Sequence, residues 1–261
     1  MSAPCPRARD FGLIPPGRLP PGPLNTLTDL PGVAVGHRTI RRDGIATGVT
    51  AILPQGGDLF REKVRAGVEI VNGFGKSAGL IQVRELGTVE TPILLTNTFG
   101  VGACTDALVR RAIAANPAIG RTTGTVNPLV FECNDGAIND IQALAVTGAD
   151  ACAALDAAGP GPVEEGAIGA GTGMMAFGFK AGIGTASRLM RVEGRTFTLG
   201  ALVLANFGVP GDLVLPDGRR PCPFGVVSAG AGRARPPPGR RVEWPAAAGG
   251  LRAAARPRPR P

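Results

Sequence analysis

Apolar residues recur in short runs that are separated by glycine and proline along most of the chain. Continuous or alternating apolar runs predict strands at 33–37, 48–54, 68–71, 91–96 and 129–133. Apolar residues at helical spacing, bounded by glycine or proline, predict helices at 77–86, 103–115 and 149–158. This order of strands and helices indicates an α/β domain with helices layered over a sheet core.

One stretch, 196–208, stands out because it is apolar on both pleat faces, with Val203 on one face and Leu202 and Leu204 on the other. Such a pattern predicts a single buried strand that is covered on both sides. Its last step places Asn206 on the Leu202/Leu204 face. An asparagine there is either a turn former or a hydrogen-bond donor directed into a site, and the stretch alone leaves both open.

Two glycine-rich segments resemble nucleotide-binding loops and fail the test for them. The segment 72–77 resembles a phosphate loop, but Ile70 stands where the Walker pattern requires glycine. The motif Gly171-x-Gly173-x-x-Ala176 is a nominal dinucleotide fingerprint, but no helical pattern follows it. We therefore predict a turn at the first segment and, across the glycine-dense stretch around the second, strands packed close to another backbone.

Two further corners carry polar or small residues after a strand. The corner at 97–102 precedes a helix, so it is either an anion or oxyanion site made by free backbone N–H groups or a plain connection. The segment 134–136, Asn-Asp-Gly, is a strong turn signal and by itself predicts a turn alone.

Composition limits the chemistry that these elements could carry. The 261 residues suffice for one large or two small domains, and they include 40 glycines, 25 prolines, no tyrosine and one histidine. His37 is expected at a strand end as a surface or turn residue rather than in catalysis. The cysteines are scattered and odd in number, which disfavours a disulfide framework and a zinc site, and we expect no cofactor. They are Cys5, Cys104, Cys133, Cys152 and Cys222.

The net charge of +8 resides at the C-terminal end of the sequence. Residues 219–261 carry ten arginines and one acid, whereas residues 1–218 are nearly neutral. We predict an irregular Pro/Gly/Arg-rich stretch at 1–23, a folded domain at 24–218 and a disordered tail at 219–261. The tail could bind nucleic acid only weakly and in a salt-dependent way. No apolar run reaches about 18 residues, and no signal peptide is recognisable, so we expect a cytoplasmic protein with no membrane contact.

Seven sequence blocks, in order from about Arg7 to about Gly218, resemble the L-aminopeptidase/D-esterase family, which includes D-aminopeptidases and β-peptidyl aminopeptidases. The blocks are Val71–Ser77, Glu85–Ile93, Leu95–Thr98, Thr125–Pro128, Glu132–Gly136, Gly169–Met174 and Leu204–Gly208.

The resemblance implies a four-layer αββα sandwich, assembled as an oligomer of αβ units. It also implies self-cleavage at a Gly-Ser bond, after which the freed serine heads a smaller β chain and attacks short peptides, amino-acid amides or esters. The α-amino group of that serine, of pKa near 8, can act as its general base. By resemblance, Asn206 is a donor to the oxyanion.

This sequence departs from the family in two places. It contains no Gly-Ser dipeptide, and Ala137 stands where the family has a tyrosine near the oxyanion. Ser228 is the nearest serine beyond 218 and is a poor candidate for the nucleophile. Our hypothesis is that the Ala/Gly/Pro/Arg-rich sequence from Ala229 onward is an out-of-frame or degraded form of the β chain.

We therefore expect an aminopeptidase-type hydrolase that lacks its nucleophile and is inactive alone, unless a separate β chain is supplied. The alternative is a non-catalytic α-type binding subunit, and a third reading is an interaction protein that uses its basic tail.

Overall fold

The structure is a computed structural model that describes residues 7–11, 17–71 and 73–221. Within these residues the strands are β1 Ala34–Arg42, β2 Ile45–Leu53, β3 Val64–Arg65, β4 Thr88–Val89, β5 Ile93–Asn97, β6 Leu129–Cys133, β7 Met175–Ala176, β8 Phe179–Lys180, β9 Ile183–Val192 and β10 Arg195–Leu204. The α-helices are α1 Leu80–Leu86, α2 Val101–Ala115 and α3 Gly148–Asp156. Short 3-10 helices lie at Ala8–Phe11, Leu27–Asp29, Thr98–Gly100, Ile141–Ala143 and Gly169–Gly173.

The central sheet has the strand order β1-β2-β5-β6. β1, β2 and β5 are antiparallel neighbours, whereas β5 and β6 run parallel, from Ile93 opposite Leu129 to Asn97 opposite Cys133. The connection between these two parallel strands contains α2. The carboxyl ends of β5 and β6 therefore meet at one edge of the sheet, where ligands of α/β proteins commonly bind.

Each face of the central sheet packs against a different layer. One face packs on α2 and α3 through buried residues that include Val49, Ala51, Leu94, Val130, Leu108, Ala151, Ala154 and Leu155. The other face packs on the β9–β10 hairpin through Leu95, Ile183, Ile52, Ile93, Phe131, Leu202 and Leu204. This order of helices, sheet and second β layer fits the predicted layered αββα sandwich.

The β9–β10 hairpin corrects the prediction of a strand buried on both faces. β10 ends at Leu204, and its inner residues Leu202 and Leu204 pack on the sheet. Its outer residues are exposed, Leu199 to 58% and Val203 to 54% of their surface. The apolar pattern is present as predicted, but no described residue covers the outer face, so this layer is apolar on a side that faces solvent.

Other boundaries also differ from the sequence predictions. The expected strand at 68–71 does not form, and the short β3 at Val64–Arg65 pairs with β4 instead. The first helix begins at Leu80 rather than at 77, because Ala78 forms a bridge with Val130 at the edge of β6.

The glycine-dense segment is only partly strand. It begins as a buried 3-10 turn, Gly169–Gly173, and continues as the short β7–β8 hairpin before β9. Gly171 and Gly173 lie where an added Cβ would approach main chain, Gly171 against Ile183 N at 2.7 Å and Gly173 against the carbonyl of Ala46. Close backbone approach was predicted here, and no strand-to-helix turn for a dinucleotide is present.

Candidate functional site

Asn206 lies in the irregular segment that follows β10, two residues beyond the strand end. Its side-chain Nδ2 donates to the main-chain oxygen of Asn134 at 2.8 Å. Asn134 directly follows β6, so this bond joins the end of the central sheet to the end of the hairpin layer. A side-chain amide nitrogen carries two hydrogens, and one bond to Asn134 leaves the other for a ligand. Asn206 is partly exposed, on an open surface.

The Asn-Asp-Gly segment forms the predicted turn, but its aspartate is buried. Asp135 has no exposed surface, and its Oδ1 accepts from Asn139 Nδ2 at 3.0 Å. Its Oδ2 is buried without a hydrogen-bond partner in the described part of the chain. Burial raises the pKa of the Asp135 carboxyl above its ordinary value, although the polar side chains of Thr47, Asn139 and Asn97 oppose the rise. Sequence reasoning missed this role, because an Asn-Asp-Gly turn is normally solvated.

The corner at 97–102 forms a capped connection. Asn97 is buried, its Oδ1 accepts from Gly100 N at 2.7 Å, and its Nδ2 donates to Thr47 Oγ1 at 3.1 Å. The side chain therefore occupies the N–H of Gly100 that an oxyanion would need. Of the two interpretations offered by the sequence, the structure favours a plain strand-to-helix connection.

Glu132 is a second polar residue at this edge that the sequence analysis did not select. It lies on β6, two residues before Asn134. Its Oε1 accepts from Lys76 N at 2.8 Å and its Oε2 accepts from Thr98 Oγ1 at 2.5 Å. Two donors from different segments thus hold a partly exposed carboxylate two residues before Asn134.

A small hairpin holds the residues that follow Asn206. Phe177, at the turn between β7 and β8, donates its backbone N–H to Phe207 O at 2.9 Å. The two rings meet edge to face with centroids 5.0 Å apart. Gly208 has a φ of 78°, and an added Cβ would collide with the Phe177 ring, so glycine is required there. The segment directly after Asn206 is therefore fixed against the β7–β8 hairpin.

His37 is not at a strand end, which corrects the sequence prediction. It lies within β1, and its Nδ1 is 2.9 Å from Thr50 Oγ1. Burial lowers the pKa of His37 to about 4, and its Nε2 is buried without a hydrogen-bond partner in the described part of the chain. A neutral imidazole inside the fold, away from Asn206 in sequence and layer, supports the non-catalytic reading.

The described cysteines have no disulfide partner; Cys104 is buried, and Cys133 and Cys152 are half-buried. Burial raises the pKa of Cys104 to about 12 and that of Cys133 to about 11, so neither is a thiolate at neutral pH. Cys5, Cys222 and Ser228 lie outside the described residues. Among the residues that are described, no group of three or more acidic, histidine or cysteine side chains could hold a metal ion.

A cavity of about 310 Å³ lies at the opposite end of the central sheet, between the C-terminal half of α2 and the loop at 55–60. Its walls include Leu53, Leu59, Phe60, Pro92 and Leu108, and the buried Glu90 contributes to its rim. It is separate from the Asn206 edge. Within the described ranges, no helix has the length and apolar character needed to cross a bilayer.

These observations describe a layered α/β protein whose polar groups converge where β6 and β10 end. This is the architecture of the N-terminal-nucleophile hydrolases, and the comparison with known proteins agrees. Peptidase family S58 matches residues 25–222. The chain belongs to this family of peptide hydrolases.

The chain is 41% identical over 218 residues to beta-peptidyl aminopeptidase BapA of Sphingosinicella microcystinivorans, covering 80% of this chain and 53% of that protein. It also resembles the solved structure of a Burkholderia sp. beta-aminopeptidase, with a TM-score of 0.75, 45% identity and coverage of 80% and 59% of the two chains.

A third similar protein is the l-aminopeptidase d-ala-esterase/amidase from Ochrobactrum anthropi, described as a prototype of the serine aminopeptidases and a variant of the Ntn hydrolase fold. The TM-score is 0.74 at 40% identity, and the match covers 81% of this chain and 60% of that one. The chain thus spans about half to three fifths of the length of these proteins.

Proposed function

We propose that residues 24–218 form the oxyanion-binding part of a serine aminopeptidase, and that the attacking serine comes from a segment that residues 1–261 do not contain. The observation that carries this proposal is the hydrogen bond from Asn206 Nδ2 to Asn134 O. It fixes the amide at the junction of two layers, with one N–H remaining for the developing oxyanion. A preorganised donor of this kind accelerates acyl transfer because it meets charge that develops in the transition state.

Substrate class follows from the carboxylate that precedes Asn134 by two residues. An aminopeptidase must recognise a free ammonium group, and the Glu132 carboxylate is held by Lys76 N and Thr98 Oγ1 two residues before Asn134. We assign to the Glu132 carboxylate the binding of the free ammonium group of a short peptide, amino-acid amide or ester. Charge-assisted hydrogen bonds between an ammonium and a carboxylate are about twice as strong as neutral ones.

The second segment would pack where the hairpin layer is open. The outer face of β9–β10 exposes Met190, Val192, Phe197, Leu199 and Val203. Monomeric proteins rarely expose a large contiguous apolar patch without a partner. The β chain that the family resemblance implies would therefore pack against this exposed apolar face.

The test is reconstitution. We would mix the purified chain with the part of the Burkholderia beta-aminopeptidase that this chain does not cover, beginning at the serine implied by the family resemblance. The assay is release of p-nitroaniline from aminoacyl anilides. We expect turnover that is abolished when that serine is alanine, and that falls about 10²–10³-fold with Asn206→Ala. A stable complex with no turnover would argue against the proposal.

Two controls separate binding from chemistry. Glu132→Gln should raise KM for aminoacyl anilides more than it lowers kcat, since it removes the partner of the substrate ammonium. The unmixed chain should remain an uncut 26.5 kDa species without activity. Turnover by the unmixed chain, with a new N-terminal serine found by mass spectrometry, would show that the nucleophile lies within it.

A second candidate function is a non-catalytic subunit that binds peptides or amino-acid derivatives. The observation that favours it is the exposed Ala137, which stands where the family has a tyrosine. In that case the reconstituted complex would bind an aminoacyl amide, measured by calorimetry, but would not hydrolyse the anilide.

A further inference from the structure

Lys180 is one of three lysines in a chain that otherwise uses arginine for its positive charge. It is the last residue of β8, and its ammonium turns back onto three main-chain oxygens. The distances from Nζ are 2.9 Å to Gly171 O, 2.9 Å to Met174 O and 2.6 Å to Ala181 O. Three carbonyls around one nitrogen match the three N–H donors of a lysine ammonium.

An arginine could not make this arrangement. Its guanidinium spreads five donors over a planar fork, which suits two parallel oxygens and not three that converge on one point. Burial, with a smaller contribution from the charge of Arg41, lowers the pKa of Lys180 to about 8. The ammonium is therefore still the main form at neutral pH, and all three donors are present.

Two of the three carbonyls flank the β7–β8 hairpin, and the third belongs to the 3-10 turn that precedes it. Gly171 lies in the buried 3-10 turn that is fixed to the central sheet, where Ala170 N donates to Thr50 Oγ1 at 3.1 Å. Met174 and Ala181 flank the hairpin, and Ala181 N donates to Met174 O at 3.0 Å. Lys180 thus ties the base of the hairpin to an element that cannot move without disturbing the sheet.

The tip of the same hairpin carries Phe177, which contacts Phe207 through both its ring and its backbone N–H. Phe207 is the neighbour of Asn206. On the other side, Ala205 N donates to Gly182 O at 3.0 Å, directly after the Lys180–Ala181 pair. The chain on both sides of Asn206 therefore contacts the segment whose base Lys180 holds.

We propose that Lys180 is a positioning residue whose ammonium holds the β7–β8 hairpin in place and, through Phe177 and Phe207, fixes the orientation of the Asn206 amide. A catalytic role for this orientation of Asn206 rests on the proposed function. The holding of the hairpin by Lys180 does not, because all of its contacts lie within the described chain.

The test compares Lys180→Met, which keeps the apolar stem and removes all three donors, with the unaltered chain. We expect amide exchange at Phe177 and Ala181 to become about tenfold faster, because the hairpin opens more readily. We also expect the Asn206 side-chain NH₂ resonances to move toward those of a solvated amide. If both signals match those of the unaltered chain, Lys180 does not position Asn206.

Chemical rescue tests whether the hairpin needs the hydrogen-bond donors of the Lys180 ammonium or only the volume of its side chain. Lys180→Ala removes the atoms of one propylammonium ion, so added propylammonium should restore the Asn206 resonances and the exchange protection. Propanol, of similar size but uncharged, should not. Equal rescue by propanol would show that packing alone matters and would overturn the proposal.

Lys63→Met is the matched control, because Lys63 donates to Phe60 O at 2.6 Å and pairs with Glu90 at the far end of the sheet. It should lower stability and leave the Asn206 resonances unchanged; if it moves them as Lys180→Met does, the effect is general loosening and the assignment fails.

If the Lys180 variants do not fold, a measurement on the unaltered chain still tests the proposal. Both Lys180 and Lys76 are exposed, but Lys180 Nζ has three carbonyl acceptors and Lys76 Nζ donates to the carbonyl of Phe74. The ammonium hydrogens of Lys180 should therefore exchange with water more slowly than those of Lys76, and equal rates would contradict the clamp. None of these readouts requires turnover, so the peptidase proposal and this one can fail separately.

Discussion

The side-chain amide of Asn206 donates to the main-chain oxygen of Asn134 at 2.8 Å and joins two strand ends that lie 72 residues apart in the chain. Neither residue belongs to a strand itself, so both depend on β6 and β10 for their positions. The bond is partly exposed, and a neutral hydrogen bond of this kind contributes about 0.5–1.5 kcal/mol.

We predict that Asn206→Asp will destabilise the chain more than Asn206→Ala. The aspartate oxygen that replaces Nδ2 would face the Asn134 oxygen without a hydrogen, whereas alanine only removes the bond. Asn206→Ala should lower the free energy of unfolding by about 1 kcal/mol, as measured by urea denaturation at neutral pH. An Asn206→Asp variant as stable as the unaltered chain would show that the bond is not formed in solution.

The buried Asp135 should make stability depend on pH in an unusual direction. Its pKa is raised above the ordinary 3.8, so the stability linked to this group is fully present below that value and is lost as pH rises through the higher folded value. Asp135→Asn should remove this loss. Between pH 4 and neutrality, we expect the unfolding free energy of the variant to rise relative to that of the unaltered chain.

Asp150 provides the control of opposite sign. Burial would raise its pKa, but hydrogen bonds from Thr147 and Arg38 outweigh burial and lower it. The stability linked to Asp150 is therefore present above pH 3.8 and lost as pH falls through the lowered value. Asp150→Asn should destabilise the chain at neutral pH and less so in acid. The Asp135 prediction is wrong if the two variants show the same pH trend.

His37 offers a clean titration, because the sequence contains one histidine. Burial lowers its pKa from 6.5 to about 4, so the stability linked to it is present above 6.5 and is lost as pH falls through 4. The NMR signal of its ring should titrate near 4, and His37→Gln should weaken acid destabilisation between pH 6.5 and 4 by at most about 3 kcal/mol. A titration midpoint near 6.5 would place the ring in solvent.

Gly173 should not tolerate a side chain. An added Cβ would meet the carbonyl of Ala46 and lie 2.7 Å from the Cβ of Asp135, so Gly173→Ala forces the 3-10 turn away from the sheet. We expect a loss of about 1–3 kcal/mol in unfolding free energy, typical of overpacking. Gly184→Ala is the matched control, since nothing lies within 4 Å of its added Cβ. Similar losses at both positions would contradict this account.

The exposed outer face of the β9–β10 hairpin should govern association with the second segment. Leu199→Gln and Val203→Thr change exposed outer residues of β10 and should leave the unfolding free energy of the isolated chain nearly unchanged. They should weaken binding of the supplied second segment at least about tenfold, because burial of each apolar side chain contributes about 1.5–3 kcal/mol. Calorimetric titration measures this, and unchanged affinity would place the interface elsewhere.

Local patterns in the sequence determined much of the architecture. The apolar spacing that predicted 91–96, 103–115 and 129–133 produced β5, α2 and β6 with shifts of a few residues, because each pattern matches one secondary-structure period. The family motifs identified the layered fold. The predicted strand at 68–71 failed because a short apolar run does not specify its partner, and β3 and β4 pair instead.

Tertiary structure decided the site and the exposed layer. The residues themselves supply an asparagine after a strand, an Asn-Asp-Gly turn and a lysine among glycines, and each has several local meanings. Which meaning holds depends on tertiary contacts: Asn206 bonds to Asn134, Asp135 lies beside Thr47 near the start of β2, and Lys180 bonds to the turn at Gly171. Such contacts carry no periodic signal, since the chain between their partners can have any length that the fold accommodates. Likewise, the apolar face of β10 is fixed by its sequence, but its exposure depends on what packs against it.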